Sequence, residues 1–270
     1  MAMKDALREL CARAETPLLA QHRVREYLQA RILQSLAQGG GMESLAFHGG
    51  TALRFLYDIP RYSEDLDFAL ERTRERYDFR ALLLQIKEDF AKDDVAVAIK
   101  VSDRSVVHKA FVRFQGLLYE LSLSPHKTQV LAVKLEVDTN PPSGAKLTTT
   151  TLTKYVPLTL QHHDRASLFA GKLHAVLQRP YPKGRDIFDL WWYLTQPDWP
   201  EPNLAQLNAA LTQSGWPGPE ITSDNWRGFA HRRVSELDWQ ENVIRDLQAF
   251  IIDPEVLGRL QKDALLALLM

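Results

Sequence analysis

The stretch FHGGTALRFLYDIPRYSEDLDFAL, residues 47–70, places a glycine pair shortly before two closely spaced aspartates. Gly49 and Gly50 end a short apolar run, and Asp65 and Asp67 lie inside a second one. Short apolar runs that are bounded by glycine or polar residues are typical of buried strands. The segment between them, TALRFLYD, has the apolar spacing of a helix. The sequence therefore predicts a strand, a glycine turn, a helix and a second strand that carries both carboxylates.

The two aspartates are predicted to share one face of their strand. Side chains alternate along a β-strand, so Asp65 and Asp67 project together while Leu66 and Phe68 point the other way. Carboxylates about 6–7 Å apart repel each other unless a cation lies between them. Mg²⁺, with Mn²⁺ as the alternative, suits two carboxylates and the phosphates of a substrate. A capping aspartate beside a solvent-facing one would give the same short pattern.

The glycine turn suggests the other half of a phosphate site. Small residues let a backbone approach a phosphate closely, and the first N–H groups of the following helix are anion donors. Gly49, Gly50 and Thr51 supply such a turn. Together with a metal, this arrangement points to phosphoryl-group chemistry on an NTP.

Composition and charge are those of an ordinary globular protein. The 270 residues are 45% hydrophobic and 25% charged, with a net charge of −1 and a single cysteine. The charged N-terminus lacks the apolar core of a signal peptide, and no apolar run reaches the roughly 20 residues that span a bilayer. We therefore expect a cytoplasmic protein without a membrane partner. Arginines 72, 74, 76 and 80 form a cluster that would allow an RNA partner without requiring one.

The character of the sequence changes near residue 160. Residues 4–38 read as helix, and VAVAIKV, VVHKAFVRFQGLLYELSL and QVLAVKLEVDT have the alternation of strands. Beyond residue 160 the patterns are helical, and all six tryptophans follow residue 190. We therefore predict an α/β module with N-terminal helices over residues 1–158 and a helical module over residues 159–270.

A later strand carries charged residues on one face. In VLAVKLEVDT, Lys134, Glu136 and Asp138 share one face, and Glu136 is the central position. A plain solvent-facing polar stripe explains this pattern.

The helical half contributes further candidates. Lys172 falls within the apolar arc of ASLFAGKLHAVLQ, where an ammonium needs an anion or a route to water. Asp186 and Asp189, three residues apart, share one face of GRDIFDLWWYL. A lysine that snorkels at a domain edge, an aspartate that favours a helix start, and an aspartate paired with an arginine are the structural alternatives.

These motifs occur in the order found in a known family. The run GGTALRFLYDIPRYSEDLDF resembles the AbiEii toxins of type IV toxin–antitoxin and abortive-infection systems, within the polymerase-β-like nucleotidyltransferase superfamily. KLHAVLQR (172–179) and GRDIFDLWW (184–192) match its later motifs, so the resemblance spans roughly residues 45–195. It implies an α+β fold, with a nucleotidyltransferase-like mixed sheet flanked by helices and then a C-terminal helical bundle.

The resemblance also implies an activity and partners. We expect a Mg²⁺-dependent enzyme that transfers an NMP from an NTP to an acceptor, foremost a tRNA 3′ end, and that has a cognate antitoxin. The resemblance implies that Lys172 and one aspartate, Asp186 before Asp189, lie in the active site. It also implies a third acidic residue on a neighbouring strand, and Glu136 is the candidate to join the metal site there. Phosphate transfer, modification of a protein acceptor, or nucleotide binding without turnover are the alternative functions.

Two polar residues before the aspartates complete the set of candidates. Arg61 is expected to help neutralise the triphosphate. Ser63 lies two residues before Asp65, where a phosphate or nucleotide attached to it would repel the substrate. A turn serine that bonds its own backbone is the alternative for Ser63.

Overall fold

The structure, a computed structural model, describes residues 2–72, 74–251 and 253–270. The strands are β1 (Leu45–His48), β2 (Asp65–Leu70), β3 (Ala98–Ser102), β4 (Val107–Gln115), β5 (Val130–Asp138), β6 (Leu147–Lys154) and β7 (Val156–His163). The α-helices are α1 (Met3–Ala12), α2 (Pro17–Gln38), α3 (Gly49–Tyr57), α4 (Phe79–Lys92), α5 (Leu117–Glu120), α6 (Arg165–Gln178), α7 (Gly184–Thr195), α8 (Leu204–Gln213), α9 (Trp226–Ser235), α10 (Arg245–Leu247), α11 (Pro254–Arg259) and α12 (Lys262–Leu268). Short 3₁₀ turns at Gly41–Glu43 and Arg74–Arg76 and a π-helix at Trp239–Ile244 complete the elements.

The seven strands form one mixed sheet in the order β3-β4-β5-β2-β1-β7-β6. Strand β2 is central, antiparallel to β1 and parallel to β5. Strands β3, β4 and β5 continue antiparallel on one side, and β1 pairs in parallel with β7 on the other. A mixed sheet with flanking helices confirms the predicted α+β class.

Three local predictions differ from the structure. The helical region 4–38 is two helices, because Thr16 caps α2 through the Leu19 amide and Pro17 opens it. The predicted strand pattern after Gln115 is wrong: Gly116, at a φ of 72°, ends β4, and the short helix α5 follows. Strands β6 and β7 were not predicted.

The chain divides into two compact units. Unit 1 comprises residues 1–56, 62–140 and 149–162, and unit 2 comprises residues 57–61, 141–148 and 163–270. Unit 1 therefore holds most of the sheet, whereas unit 2 is mainly helical. No helix in the described part of the chain has the length and apolar character needed to cross a membrane.

The core of unit 1 is built on the strand alternation that the sequence shows. Leu66 and Phe68 of β2, and Leu135 and Val137 of β5, are at most 1% exposed. The side chains between them on the same strands are half-buried. One face of the central strands therefore packs into the core, and the other carries the polar residues.

Helix α6 is the centre of unit 2 and packs against α7, α8 and α9. Its N-cap is Asp164, whose carboxylate accepts a hydrogen bond of 2.8 Å from the Ser167 amide. At the start of α7, a Cβ on Gly184 would collide with the backbone of Val243. This close backbone approach explains a glycine at that position.

Candidate active site

The two aspartates of β2 lie on the polar face of the sheet, at its central strand. Asp65 and Asp67 are both half-buried, whereas Leu66 between them is fully buried. In register, Asp65 pairs with Lys134 and Asp67 with Glu136 of the parallel strand β5. Neighbouring strands lie about 4.8 Å apart, so register partners have adjacent side chains on the same face. The sheet therefore brings Asp65, Asp67 and Glu136 together.

Helix α3 begins directly against one of these carboxylates. Gly49 is its first residue and has a φ of +79°, in the left-handed region that glycine tolerates. A Cβ at this position would overlap the carboxylate of Asp67. The missing side chain of Gly49 thus lets Asp67 and the helix start approach each other, and the partial positive charge of that helix end favours an anion there.

Three other predicted residues hold this region in place. Gly50 and Thr51 are buried in the first turn of α3, and the Thr51 hydroxyl donates to the backbone carbonyl of Asp65. Ser63 is half-buried just before β2, and the side chain of Gln29 donates to its carbonyl at 3.1 Å. The Thr51 hydroxyl therefore ties α3 to the start of the carboxylate strand.

The third predicted carboxylate is held by two lysines. The Glu136 oxygens lie 2.6 Å from Lys134 Nζ and 3.4 Å from Lys109 Nζ. Burial lowers the pKa of Lys134, but its hydrogen bond to Glu136 and the charges of Glu136, Asp65 and Asp67 outweigh that effect and raise the pKa. The Lys134 ammonium is therefore charged and acts on all three carboxylates.

His48 is a neighbour of the site that was not among the predicted residues. It is the last residue of β1 and the register partner of Asp67, and its side chain is half-buried. The row across β1, β2, β5 and β4 therefore reads His48, Asp67, Glu136 and Lys109. In the sequence, the position of His48 immediately before the glycine pair could have indicated that it lies at the site.

The donor set fits a divalent metal that has two protein carboxylates. Within the described residues there is no cluster of three or more His, Cys, Asp or Glu side chains arranged as metal ligands. Asp65 and Asp67 nonetheless present hard oxygen donors from one face, beside a helix start that has no side chain in the way. A Mg²⁺ site of one or two carboxylates, completed by water and substrate phosphates, needs no more protein ligands than these.

The remaining predicted residues form a charged cluster inside unit 2. Lys172 Nζ on α6 lies 2.8 Å from Asp189 Oδ2 and 3.3 Å from Asp186 Oδ1 on α7. The second oxygen of Asp186 accepts from Arg179, at the end of α6. Both aspartate side chains are at most 4% exposed, and Lys172 is 15% exposed. The anion partners that Lys172 requires are therefore these two aspartates.

Arg61 completes this cluster from a distant part of the sequence. Its Nε and Nη2 each donate to one oxygen of Asp189 at 2.6 Å, a bidentate pair that is at most 1% exposed. Burial alone would raise the pKa of Asp189, but the charges and hydrogen bonds of Arg61 and Lys172 hold it below its ordinary value. Asp189 is thus an ionised, fully buried anchor between two cations.

The predicted site residues fall into two sets, one in each unit. Unit 1 holds Gly49, Gly50, Thr51, Ser63, Asp65, Asp67 and Glu136, and unit 2 holds Arg61, Lys172, Asp186 and Asp189. Lys134, Lys109, His48 and Arg179 contact or adjoin these sets without having been predicted in them. For Lys134 the signal was its position two residues before Glu136, on the same strand face. The contacts of Lys109 and Arg179 join different elements, so local pattern could not indicate them.

Comparison with known proteins gives a family and a fold. A family model described as "Nucleotidyl transferase AbiEii toxin, Type IV TA system" matches residues 31–255. A search of curated proteins found no match. The matched range contains both sets of site residues and most of the chain.

Two crystal structures from Helicobacter pylori share the fold. One, described as a "putative nucleotidyltransferase", is 17% identical, has a TM-score of 0.54, and aligns over 91% of this chain and 89% of its own. The other, JHP933, is 17% identical with a TM-score of 0.53, over 92% of this chain and 88% of its own. At this level of identity the likeness concerns the fold.

Proposed function

The chain belongs to the AbiEii family of type IV toxins and is a nucleotidyltransferase, and we propose that it transfers an NMP from an NTP to RNA, at a tRNA 3′ end. The observation that carries this proposal is the pair Asp65 and Asp67 on one strand face, with Asp67 directly against the glycine start of α3. Two carboxylates beside an anion-binding helix start suit a metal-bound triphosphate.

Asp65 and Asp67 are proposed to hold the divalent metal, Mg²⁺. When bound, the ion supplies Lewis-acid stabilisation of the phosphate oxygens. Glu136 is fixed by Lys134 and Lys109, so it also holds those cations beside the aspartates. Lys134 in turn limits the mutual repulsion of Asp65 and Asp67 before substrate arrives.

The backbone of Gly49, Gly50 and Thr51 is proposed to face the triphosphate. Thr51 uses its hydroxyl on the Asp65 carbonyl, so its contribution is the amide rather than the side chain. Ser63, on the approach to β2, remains a proposed contact on the nucleotide side. Each of these groups orients the leaving pyrophosphate.

Lys172 is proposed to neutralise phosphate charge, with Asp186 and Asp189 as the residues that orient it. The ammonium is held by two carboxylates, and each carboxylate is held in turn by an arginine. Arg61 is fully buried against Asp189, which favours a positioning role over direct contact with the nucleotide. Such support fixes a long, flexible lysine in one place.

The proposed reaction is an in-line substitution at the α-phosphorus. The acceptor hydroxyl oxygen forms a bond to this phosphorus, and the bond from the phosphorus to the bridging oxygen of the β-phosphate breaks. Pyrophosphate leaves with that electron pair, and the hydroxyl proton passes to Glu136 or to one of the carboxylates Asp65 and Asp67. The products are the acceptor extended by one NMP, and pyrophosphate.

The test is transfer of label from each NTP, labelled at the α-phosphate, to total tRNA in the presence of Mg²⁺. We expect the wild type to label tRNA, and the Asp65→Asn and Asp67→Asn variants to lose the activity. Glu64→Gln is the matched control, because Glu64 is the adjacent carboxylate and makes a surface pair of 3.3 Å with Arg25. Label in protein, or release of NDP in place of pyrophosphate, would contradict the proposal.

Type IV toxin–antitoxin membership suggests a cognate antitoxin as a further partner. We propose that co-expression with the neighbouring antitoxin gene relieves growth arrest caused by the wild-type chain. The Asp67→Asn variant should be harmless with or without it. Growth arrest by the Asp67→Asn variant would show that toxicity does not depend on the carboxylates of β2.

A further inference from the structure

The polar face of the sheet continues beyond the carboxylates to its edge. One register row runs from Asp65 through Lys134 on β5 and Phe111 on β4 to Lys100 on β3. The next row outward places Ala132 beside Arg113. Cross-strand partners share a face, so the carboxylates and these cations belong to one continuous surface.

An aromatic ring lies open in the middle of this surface. Phe111 is 39% exposed, although its strand neighbours Ala110 and Val112 are fully buried on the opposite face. With Lys100, Arg113 and Ala132 it lines a shallow hollow of about 290 Å³. A single exposed apolar side chain is ordinary, but one flanked by cations in a hollow is the arrangement of a stacking platform.

The cations around Phe111 differ in how they are engaged. Lys109 and Lys134 are paired with Glu136. Neither Lys100 nor Arg113 makes an ion pair or side-chain hydrogen bond within the described part of the chain. In the basic cluster at 72–80, by contrast, Arg76 is paired with Glu43 and Arg80 with Asp103. The sheet face therefore offers positive charge that no carboxylate among the described residues pairs with.

We propose that this face, built on Lys100, Phe111 and Arg113, binds the single-stranded end of the RNA acceptor. A base stacks on Phe111, and Lys100 and Arg113 contact the adjacent phosphates. Phe111 is two strand spacings, about 10 Å, from Asp65, so the bound strand leads directly to the carboxylates. The inference rests on the proposed function, because it assigns the acceptor of that same site.

The choice of RNA over an acidic protein follows from the flat aromatic and its exposure. Base stacking on an aromatic side chain is tolerant of sequence and needs an open ring face with nearby cations. Asp65, at the other end of the row, and the adjacent Asp67 repel a phosphate backbone unless a metal is bound there. The change from cations to carboxylates along this surface orients the RNA strand, so that one of its ends lies at Asp65 and Asp67.

The first experiment measures binding without catalysis. Fluorescence anisotropy with a short, labelled, single-stranded oligoribonucleotide is recorded in EDTA and without NTP. We expect Phe111→Ala to weaken binding about 10-fold, and Phe111→Trp to retain it. Lys100→Ala and Arg113→Ala should each reduce the dependence of log affinity on log salt by about 0.7. Equal binding by wild type and Phe111→Ala, or no binding by the wild type, would overturn the inference.

Matched controls lie on the opposite side of this part of the sheet. Leu84 on α4 is an apolar side chain that is 56% exposed, and Lys87 is an exposed cation near it. Leu84→Ala and Lys87→Ala should leave RNA affinity and its salt dependence unchanged. An equal loss in these variants would show that the effect is general and would overturn the assignment.

Kinetics separate this inference from the proposed function. With tRNA as acceptor, Phe111→Ala should raise the KM for RNA about 10-fold and leave the KM for NTP unchanged. Transfer to RNA with an unaltered KM would overturn the inference while the proposed function stands. Labelling of protein and not of RNA by the wild type would overturn the proposed function, and with it the acceptor assigned here.

Discussion

The carboxylates of β2 and those of α7 are held in opposite ways. Asp65 and Asp67 are half-buried on a sheet face, beside a glycine that leaves room at the helix start. Asp186 and Asp189 are buried, and Lys172, Arg61 and Arg179 pair with them. The proposed role of the first pair is to bind the metal, whereas the second pair makes ion pairs with Lys172.

This difference follows from burial and charge balance. A buried carboxylate is stable only when cations and hydrogen bonds replace its lost hydration, and Asp189 has both. Carboxylates that are half-exposed can keep part of their hydration and exchange it for a metal. We therefore propose that ligand binding belongs to β2 and positioning to α7, so that substitutions affect activity and stability differently in the two regions.

The largest expected effect is on activity at β2. Asp67→Asn should lower nucleotidyl transfer by about 1000-fold, because it removes a negative ligand for the metal. Asp65→Asn should act similarly. Without metal, thermal melting should be unchanged or slightly higher, since one of two repelling charges is gone. A variant that melts normally and keeps full activity would contradict the role of this pair.

The second-largest expected effect is a loss of folding stability caused by a substitution in α7. Asp189→Asn should reduce the free energy of unfolding by about 3–5 kcal/mol, because it leaves the buried charge of Arg61 without its partner. Urea unfolding followed by circular dichroism measures the loss. Glu201→Gln is the control, since it breaks an exposed pair with Arg227 and should cost less than about 1 kcal/mol. Equal losses of unfolding free energy in the two variants would contradict the contrast between a buried and an exposed ion pair.

Acid should reduce the difference in the free energy of unfolding between the wild type and the Asp189→Asn variant. The folded-state pKa of Asp189 lies below its ordinary value of 3.8, so its contribution to stability is complete above that value. The contribution disappears as the pH falls through the lower folded-state pKa. Unfolding measured from about pH 6 to pH 3 should therefore show the wild type losing more stability than the variant. If the difference in unfolding free energy increased in acid, the pKa of Asp189 would be raised in the folded state instead.

The smallest effect comes from two glycines. Gly49→Ala should cost about 1–2 kcal/mol, because φ is +79° and the new Cβ meets the Asp67 carboxylate. Gly171→Ala on α6 is the matched control, since open space surrounds the new methyl group. That variant should gain about 0.5–1 kcal/mol. Melting curves distinguish the two, and a loss at Gly171 alone would contradict the account of the helix start.

Local pattern in the sequence was sufficient for the carboxylate strand. The alternation of DLDFAL predicts which residues are buried, and the same period in VLAVKLEVDT puts Glu136 on the polar face. Parallel pairing then makes Glu136 the register partner of Asp67, which no periodicity reveals. The link between Arg61 and Asp189 spans 128 residues and depends on tertiary packing, so the sequence could not indicate it.

The elements that were predicted wrongly, or not predicted, also have local causes. Strand β6 is mostly threonine and lacks an apolar alternation. In β7 the alternation of Val156, Leu158 and Leu160 is short and is followed by three polar residues. The strand predicted through Leu117–Glu120 ends at Gly116 because this residue adopts a left-handed conformation. Apolar residues alone could not distinguish the short helix that follows from a continued strand.

The most direct test of this division is Mn²⁺ binding, measured by electron paramagnetic resonance with a non-hydrolysable NTP analogue. The account predicts that wild type and the Asp186→Asn variant bind Mn²⁺ with the nucleotide, whereas Asp65→Asn and Asp67→Asn do not. Binding that survives both β2 substitutions and is lost in Asp186→Asn would place the metal with the α7 carboxylates and contradict the central claim.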